Sequence, residues 1–157
     1  MKIKVISIGK TQKSYFKESE TEYINRLNHY CTIEKIEIPE LRNSKKLHQD
    51  EIKSKEGKLI LDTLNPGDHV ILLDENGVTL SSVGFSNYLQ KKFNSGPKTI
   101  VFAIGGPYGF SDEVYSKSNY KLSLSNMTFS HQMVRTIFLE QLYRALTILK
   151  GEPYHHK

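Results

Sequence analysis

A regular alternation between strand-like and helix-like hydrophobic patterns limits this chain to few folds. Short runs of alternating or continuous apolar residues predict five strands, at residues 2–8, 32–38, 69–74, 99–104 and 121–124. Segments with helical spacing separate the first four strands. This order predicts an α/β fold, a mainly parallel sheet with helices on both faces. In such sheets, ligands bind beyond the carboxyl ends of the strands.

The chain has 157 residues, which suits one domain with a core of its own. No internal repeat, low-complexity tract or linker divides the sequence, so residues 1–157 are expected to form one domain. The polar stretch 40–49, with Arg42, Lys45, Lys46 and His48, is interpreted as a solvated loop. No long hydrophobic run or cleavage site follows the start, and we expect a cytoplasmic protein without membrane contact.

The formal net charge is +5, and most of the basic excess lies in the last third of the chain. Residues 117–157 hold six Lys or Arg and two acidic residues. An excess of this size favours an anionic partner such as RNA only weakly.

Several common kinds of active site are not indicated. The first strand ends in IGKT (residues 8–11), which lacks the glycine pattern of dinucleotide-binding proteins. The sequence also lacks a Walker loop and the nucleophile elbow of hydrolases. A single cysteine, Cys31, and six histidines without metal-ligand spacing predict that there is no metal site.

Two segments late in the chain predict a binding site. The glycine-rich turn IGGPYG (residues 104–109) follows the fourth strand directly, and its glycines would let a ligand approach the backbone closely. A plain tight turn would use the same residues. The segment 124–131 leads into the last helix, and Leu124, Met127 and Phe129 could form apolar walls around a flat heterocycle.

The last helix, predicted for residues 131–150, is apolar over more than half of its circumference. The apolar residues are Met133, Val134, Ile137, Phe138, Leu139, Leu142, Ala145, Leu146, Ile148 and Leu149. An arc this wide needs cover on two sides, which predicts a homodimer built on this helix. A central core helix in a monomer is the alternative.

Polar residues interrupt this helix at two places. His131 and Arg135 lie four residues apart, on one face and within the apolar arc. A buried guanidinium needs a partner, and the candidates are a substrate phosphate, a carbonyl across the dimer or a cofactor carboxylate. Glu140 and Arg144 are interpreted as an ordinary surface pair.

The tail GEPYHHK (residues 151–157) begins with the glycine and proline that end the helix. Its tyrosine, two histidines and lysine could stack on a base, bind phosphate and move a proton. Because the tail lies beyond the end of the helix, we expect it to add little to the core or to stability.

The segments IGGPYG, LSLSNMTFSHQMVR, EQLYRA and GEPYHHK, in this order and spacing, resemble a known family over the whole chain. This is the methyltransferase H family, whose members are SPOUT-class enzymes that methylate N3 of a pseudouridine in large-subunit ribosomal RNA. The resemblance implies a homodimer, a C-terminal trefoil knot and S-adenosyl-L-methionine bound in the knot. It also implies that the substrate is pseudouridine 1915 of 23S rRNA, methylated within the assembled ribosome.

The resemblance also implies roles for residues of this chain. Those implied to bind the cofactor are Leu73, Gly105, Leu124, Ser125, Asn126, Met127, Thr128 and Phe129. We expect His155 to act as the catalytic base or to orient it, and Tyr154 to stack on the target nucleotide. Arg135 and His131 are expected to hold RNA or cofactor. The family typically has one histidine after the tyrosine, and His156 adds a second here. His156, His131 and solvent therefore stay open as alternative bases.

Two functions of other classes compete with this interpretation. A non-catalytic module that binds RNA or the ribosome would have affinity for RNA without binding the cofactor. A flavodoxin-like protein that binds nucleotide or phosphate would be stabilised by nucleotides instead.

Overall fold

Five strands and five α-helices alternate along residues 1–156, the part of the chain that the computed structural model describes. In chain order they are β1 (Lys2–Ile8), α1 (Ser14–Leu27), β2 (Thr32–Ile38), α2 (Gln49–Asp62), β3 (His69–Thr79), α3 (Ser82–Ser95), β4 (Ile100–Ile104), α4 (Asp112–Lys117), β5 (Tyr120–Ser123) and α5 (His131–Leu149). The first two predicted strands are confirmed residue for residue.

The five strands form one parallel sheet in the order β2-β1-β4-β3-β5. β4 lies at the centre, and all five of its residues are buried, which is typical of a strand covered on both faces. Because the strands are parallel, their carboxyl ends all lie at one edge of the sheet. The predicted parallel sheet is confirmed.

Helices cover both faces of the sheet, as predicted. On one face, α1, α3 and α5 enclose a core in which the rings of Phe85 and Phe138 pack against Phe102 of β4. On the other face, α2 and α4 contribute Ile60 and Val114 to a second, smaller core. The sheet is thus buried on both sides, and its carboxyl edge stays open for a ligand.

β3 runs to Thr79, well beyond the predicted end at residue 74. Its pairing with β5 shifts register between Leu73 and Val78, and the strand continues after the shift. A Cβ on Gly77 would lie 2.6 Å from the carbonyl of Lys121, so glycine is what allows β5 to approach this closely. A glycine after a strand is also typical of a turn, and the sequence alone therefore ended the strand too early.

β5 and α5 differ from prediction by one residue each. β5 spans Tyr120–Ser123 instead of 121–124, so Leu124 leaves the sheet and begins the loop before α5. α5 ends at Leu149, and the hydroxyl of Ser130 caps its start by accepting from the Met133 amide at 3.3 Å.

α5 is covered on two sides, but by helices of its own chain. It lies between α1 and α3, and hydroxyl contacts such as Ser19 with Thr136 (2.7 Å) join it to α1. Leu142 and Leu146 are 0% and 2% exposed within one chain. Met133 is 47% exposed, and Ile137 and Ile148 are half-buried, so part of the apolar arc is left uncovered within one chain and the homodimer stays a prediction.

Along residues 1–156, no helix combines the length and the apolar character needed to span a membrane. The same residues contain no group of three or more His, Cys, Asp or Glu placed to hold a metal ion. The trefoil knot that the resemblance implies stays a prediction.

Candidate functional site

An open cavity of about 410 Å³ lies at the carboxyl edge of the sheet. Three segments form its walls: the end of β3, the turn after β4 and the loop before α5. The lining residues are Leu73, Asp74, Glu75, Asn76, Ile104, Gly105, Gly106, Pro107, Tyr108, Gly109, Phe110, Tyr115, Leu124, Ser125, Met127, Thr128, Phe129, His131 and Val134. This is the position in which parallel sheets bind their ligands.

The cavity brings together seven of the eight residues expected to bind a cofactor. They are Leu73, Gly105, Leu124, Ser125, Met127, Thr128 and Phe129. Asn126 is exposed and is not among the lining residues. Segments that are far apart in the sequence therefore meet at one place.

The turn after β4 needs its glycines because other side chains occupy the space around them. A Cβ on Gly105 would lie 3.2 Å from the ring of Phe110, and one on Gly106 would lie 2.7 Å from the carboxyl group of Glu56. Gly109 has a φ of 83°, which glycine adopts without strain, and its amide donates to the Gly106 carbonyl at 3.1 Å. The turn is tight, and at Gly106 only backbone separates the cavity from the Glu56 side chain behind it.

The wall formed by the end of β3 is acidic, which the sequence analysis missed. Asp74 and Glu75 line it, and they accept hydrogen bonds from the hydroxyls of Tyr115 (2.5 Å) and Thr128 (3.0 Å). Burial and then the bond to Asp74 raise the pKa of Tyr115 above its ordinary value. The position of Asp74 directly after a buried strand is the signal that could have identified this wall.

The loop before α5 is braced by its own serines. The Ser123 hydroxyl donates to the Ser125 carbonyl at 3.0 Å, and the Ser125 hydroxyl accepts from the Met127 amide at 3.0 Å. Met127 is 78% exposed although it is apolar. The loop therefore holds an apolar side chain at the rim of the cavity, where a ligand could cover it.

His131 lies at the first position of α5, and it is exposed. It is the one histidine among the lining residues. Of the imidazoles that the sequence analysis considered as bases, the structure thus places His131 at the cavity wall.

Arg135 does not line the cavity, contrary to our expectation that it holds RNA or cofactor. Its guanidinium is buried and donates to the carbonyls of Gly9 (2.9 Å) and Ile8 (2.8 Å) and to the Thr11 hydroxyl (3.1 Å). None of the three predicted partners is needed, because the end of β1 in the same chain supplies the acceptors. Burial lowers the pKa of Arg135, and Glu20, Glu37 and Glu40 act in the opposite direction.

Residues 151–156 of the tail fold back onto α1 and α5, and none of these residues lines the cavity. The Tyr154 hydroxyl donates to Glu140 at 3.0 Å and lies 3.4 Å from that of Tyr23. Its ring packs edge-on against Tyr143, with centroids 4.7 Å apart. The chain reverses after Gly151 and returns along the helix. Tyr154 is half-buried there and belongs to neither hydrophobic core, so the expectation that the tail adds little to the core or to stability stays a prediction.

His155 and His156 differ in their surroundings. Nδ1 of His155 lies 3.2 Å from the Arg144 guanidinium, whereas His156 is exposed. A guanidinium can only donate, so Nδ1 accepts and the ring proton lies on Nε2. Lys157 was also considered as part of a functional tail, but it lies outside the described residues.

Glu140 and Arg144 form more than the ordinary surface pair that we expected. Both are partly buried, and the two side chains form a charge-assisted hydrogen bond. Arg144 also lies over the Tyr154 ring, 4.8 Å from its centroid. The tail rests on this pair, and at 1.5 Å per residue along α5 Glu140 lies about 14 Å and Arg144 about 20 Å from His131.

Comparison with known proteins indicates a methyltransferase family. A family model described as "Predicted SPOUT methyltransferase" matches residues 1–155. A protein of Parabacteroides distasonis is 55% identical over 157 residues, and one of Flavobacterium psychrophilum is 57% identical, each over 100% of both chains. Both are named "Ribosomal RNA large subunit methyltransferase H".

A solved structure supports the fold independently. It is "The structure of a probable methylase family protein from Haemophilus influenzae Rd KW20", with a TM-score of 0.50 and 10% sequence identity. The match covers 99% of this chain and 70% of the other. At this identity, the likeness concerns the fold alone.

Proposed function

This chain belongs to the SPOUT methyltransferase family, and from this we propose that it methylates large-subunit ribosomal RNA with S-adenosyl-L-methionine as methyl donor. We propose N3 of a pseudouridine as the acceptor, 23S rRNA in the assembled ribosome as the substrate and the cytoplasm as the location. Full-length relatives named ribosomal RNA large subunit methyltransferase H support the proposal.

The observation that carries the proposal is the match between the cavity walls and the chemistry of this cofactor. Leu124, Met127 and Phe129 offer apolar surfaces for a flat heterocycle. Asp74 and Glu75 offer negative charge to a cationic ligand. Gly109 lines the cavity and has no atom within 4 Å of the position where a Cβ would lie, so its backbone is open to close contact. When bound, S-adenosyl-L-methionine supplies an electrophilic methyl group.

The acceptor nitrogen loses a proton, so the protein needs a base or a water path at the cavity. We propose His155 as this base and Tyr154 as the ring that stacks on the target nucleotide. The lone pair on Nδ1 of His155 faces Arg144, so this contact must open before the imidazole accepts a proton. His131, already at the cavity wall, is the alternative base in the same chain.

We further propose that the enzyme is a homodimer whose active sites combine two chains. Within residues 1–156, the tail contacts Tyr23, Glu140 and Arg144, and none of its residues lines the cavity of the same chain. A tail that serves a cavity must therefore serve the cavity of a second copy. Arg135 is proposed to act indirectly, by holding the loop after β1.

Titration calorimetry with S-adenosyl-L-methionine and S-adenosylhomocysteine tests the cofactor. Both should bind the isolated protein, and at about a hundredfold over the dissociation constant they should stabilise it by about 2.7 kcal/mol. ATP and a flavin serve as controls for the nucleotide-binding alternative. Binding of either control without binding of S-adenosyl-L-methionine would contradict the proposal.

Methyl transfer tests the substrate. Labelled cofactor is supplied with ribosomes that lack the modification or with naked rRNA, and mass spectrometry identifies the methylated nucleoside. Transfer to ribosomes, with N3-methylpseudouridine as product, is expected. RNA binding without any transfer would instead support a non-catalytic module.

A further inference from the structure

The loop between β1 and α1 is basic and exposed. It carries Lys10 and Lys13, Lys17 follows in the first turn of α1, and the first acidic residue after them is Glu18. All three lysines are exposed, and within residues 1–156 none of them forms an ion pair. Free ammonium groups of this kind are available to an anionic partner.

This loop is fixed to the start of α5. Gln132 accepts from the Gln12 amide at 2.8 Å and donates to the Lys10 carbonyl at 3.3 Å. Arg135, one turn further along, holds the Gly9 carbonyl at 2.9 Å. Gln132 and Arg135 are the next residues along α5 after His131 and Val134, which line the cavity.

The first two turns of α5 therefore have the cavity on one flank and the basic loop on the other. Gln132, which bonds to the backbone of this loop, is the next residue after His131 of the cavity wall. The hydrogen bonds give this loop a fixed position, which a solvated loop would not have.

A second basic loop extends the same edge. β2 lies next to β1, and the Gly9 amide donates to the Ile38 carbonyl at 2.5 Å. The following loop carries Arg42, Lys45, Lys46 and His48, all exposed. The sheet order thus places this loop, the lysine loop and the glycine turn in sequence along the carboxyl edge, leading to the cavity.

The opposite side of the cavity has a different charge. It carries Asp74, Glu75, Asp112 and Glu113, against Lys117 and Lys121. On the basic side, Glu37 is occupied by the Thr11 amide and Lys35, and Glu40 packs against Gly9. A polyanion should therefore approach the cavity from the β1–β2 side.

We propose that Lys10 and Lys13 bind backbone phosphates of the RNA strand that carries the target nucleotide, and that the loop with Arg42, Lys45 and Lys46 extends this contact. This inference rests on the proposed function. Phosphate contacts fix the register of a nucleic acid without reading its sequence. The lysine loop would set which nucleotide reaches the cavity, and Gln132 and Arg135 are positioning residues that act through this loop.

The test compares Lys10→Gln/Lys13→Gln with the matched double variant Lys91→Gln/Lys98→Gln. Lys91 and Lys98 are exposed and lie near the start of β4, at the other edge of the sheet. The probe is methyl transfer to unmodified ribosomes at several salt concentrations, with cofactor binding measured by calorimetry as a check on folding.

For Lys10→Gln/Lys13→Gln we expect the KM for ribosomes to rise about tenfold, and its salt dependence to become shallower by about 1.4 in log–log slope, for two single-strand phosphate contacts. The kcat and the cofactor affinity should stay near wild type, and the control should match wild type throughout. A wild-type KM and salt slope in Lys10→Gln/Lys13→Gln would overturn the inference and leave the proposed function standing. Absence of transfer by the wild-type protein would overturn both.

Discussion

The carboxyl group of Glu56 occupies the space in which a side chain on Gly106 would have to lie. A Cβ on Gly106 would be 2.7 Å from Oε1 and 2.9 Å from Oε2 of Glu56. Gly106 lines the cavity, and Glu56 belongs to α2 behind it. A change on either side of this contact should therefore be felt at the site.

Gly106→Ala should weaken binding of S-adenosyl-L-methionine about tenfold, because the turn or the carboxyl group must move to accept the new methyl group. Adding Glu56→Ala should recover part of the loss, since it removes the obstructing group. Calorimetry on the two single variants and the double variant measures the coupling. Gly84→Ala, in α3 and away from the cavity, serves as control. Wild-type affinity in Gly106→Ala would show that the turn is not part of the binding site.

Glu56→Gln should change the pH dependence of stability. Glu56 is 6% exposed, its Oε1 has no hydrogen-bond partner within residues 1–156, and burial, followed by the charge of Glu40, raises its pKa. The stability that a group with a raised pKa contributes is complete below its unfolded pKa and is lost as the pH rises through its folded pKa.

The Glu56→Gln variant should therefore be more stable than wild type by about 1 kcal/mol at about pH 8, and it should be no more stable at about pH 4. Urea unfolding at both pH values measures this difference. Glu18→Gln, exposed on α1, should show no such pH dependence. An equal effect of Glu56→Gln at both pH values would mean that the carboxyl group is not protonated preferentially in the folded state.

The strands and the cavity walls could be predicted from the sequence because local patterns determine them. Buried strands such as β4 are continuous apolar runs, and both ligand-binding segments follow strands at the carboxyl edge. The partners of Arg135 and the position of the tail could not be predicted in this way. Residues 8 and 135 meet only when β1 packs beside α5, and Tyr154 reaches Glu140 only because the chain reverses after α5.

The apolar arc of α5 does not decide between a monomer and a homodimer for the same reason. Burial by α1 and α3 produces the same pattern as burial by a second subunit. Variants such as Leu142→Asp would unfold the chain whether or not it dimerises, since Leu142 is fully buried.

Arg135→Ala should lower the free energy of unfolding by about 3 kcal/mol, because it leaves the carbonyls of Ile8 and Gly9 without their buried donor. Arg135→Lys should have a smaller effect, since an ammonium keeps the charge but cannot bond to all the acceptors at once. Urea unfolding measures both, with exposed Arg42→Ala as control. An Arg135→Ala protein that is fully stable but lacks methyl transfer would indicate instead that Arg135 contacts RNA or cofactor directly.

His155→Ala should lower turnover on ribosomes about a hundredfold if His155 is the base, and should leave cofactor affinity unchanged. If the imidazole only contacts phosphate, the KM for ribosomes should rise instead. The exposed His156→Ala variant should behave as wild type.

Deleting residues 154–157 is a less clean test, since it also removes the packing of Tyr154 on Tyr143. Unchanged turnover in His155→Ala would turn attention to His131 or solvent.

Complementation between two inactive variants tests whether the active site combines two chains. Gly106→Val should disable the cavity of its own chain and keep an intact tail, whereas His155→Ala keeps an intact cavity. In a mixed dimer, the tail of the first variant meets the cavity of the second. Equal co-expression gives mixed dimers as half of the population with one competent site each, so about a quarter of wild-type activity should return.

Circular dichroism confirms that each variant folds, and light scattering measures the dimer. If each tail served its own chain, mixed dimers would stay as inactive as their parents, and a monomeric wild-type protein would exclude the two-chain site altogether.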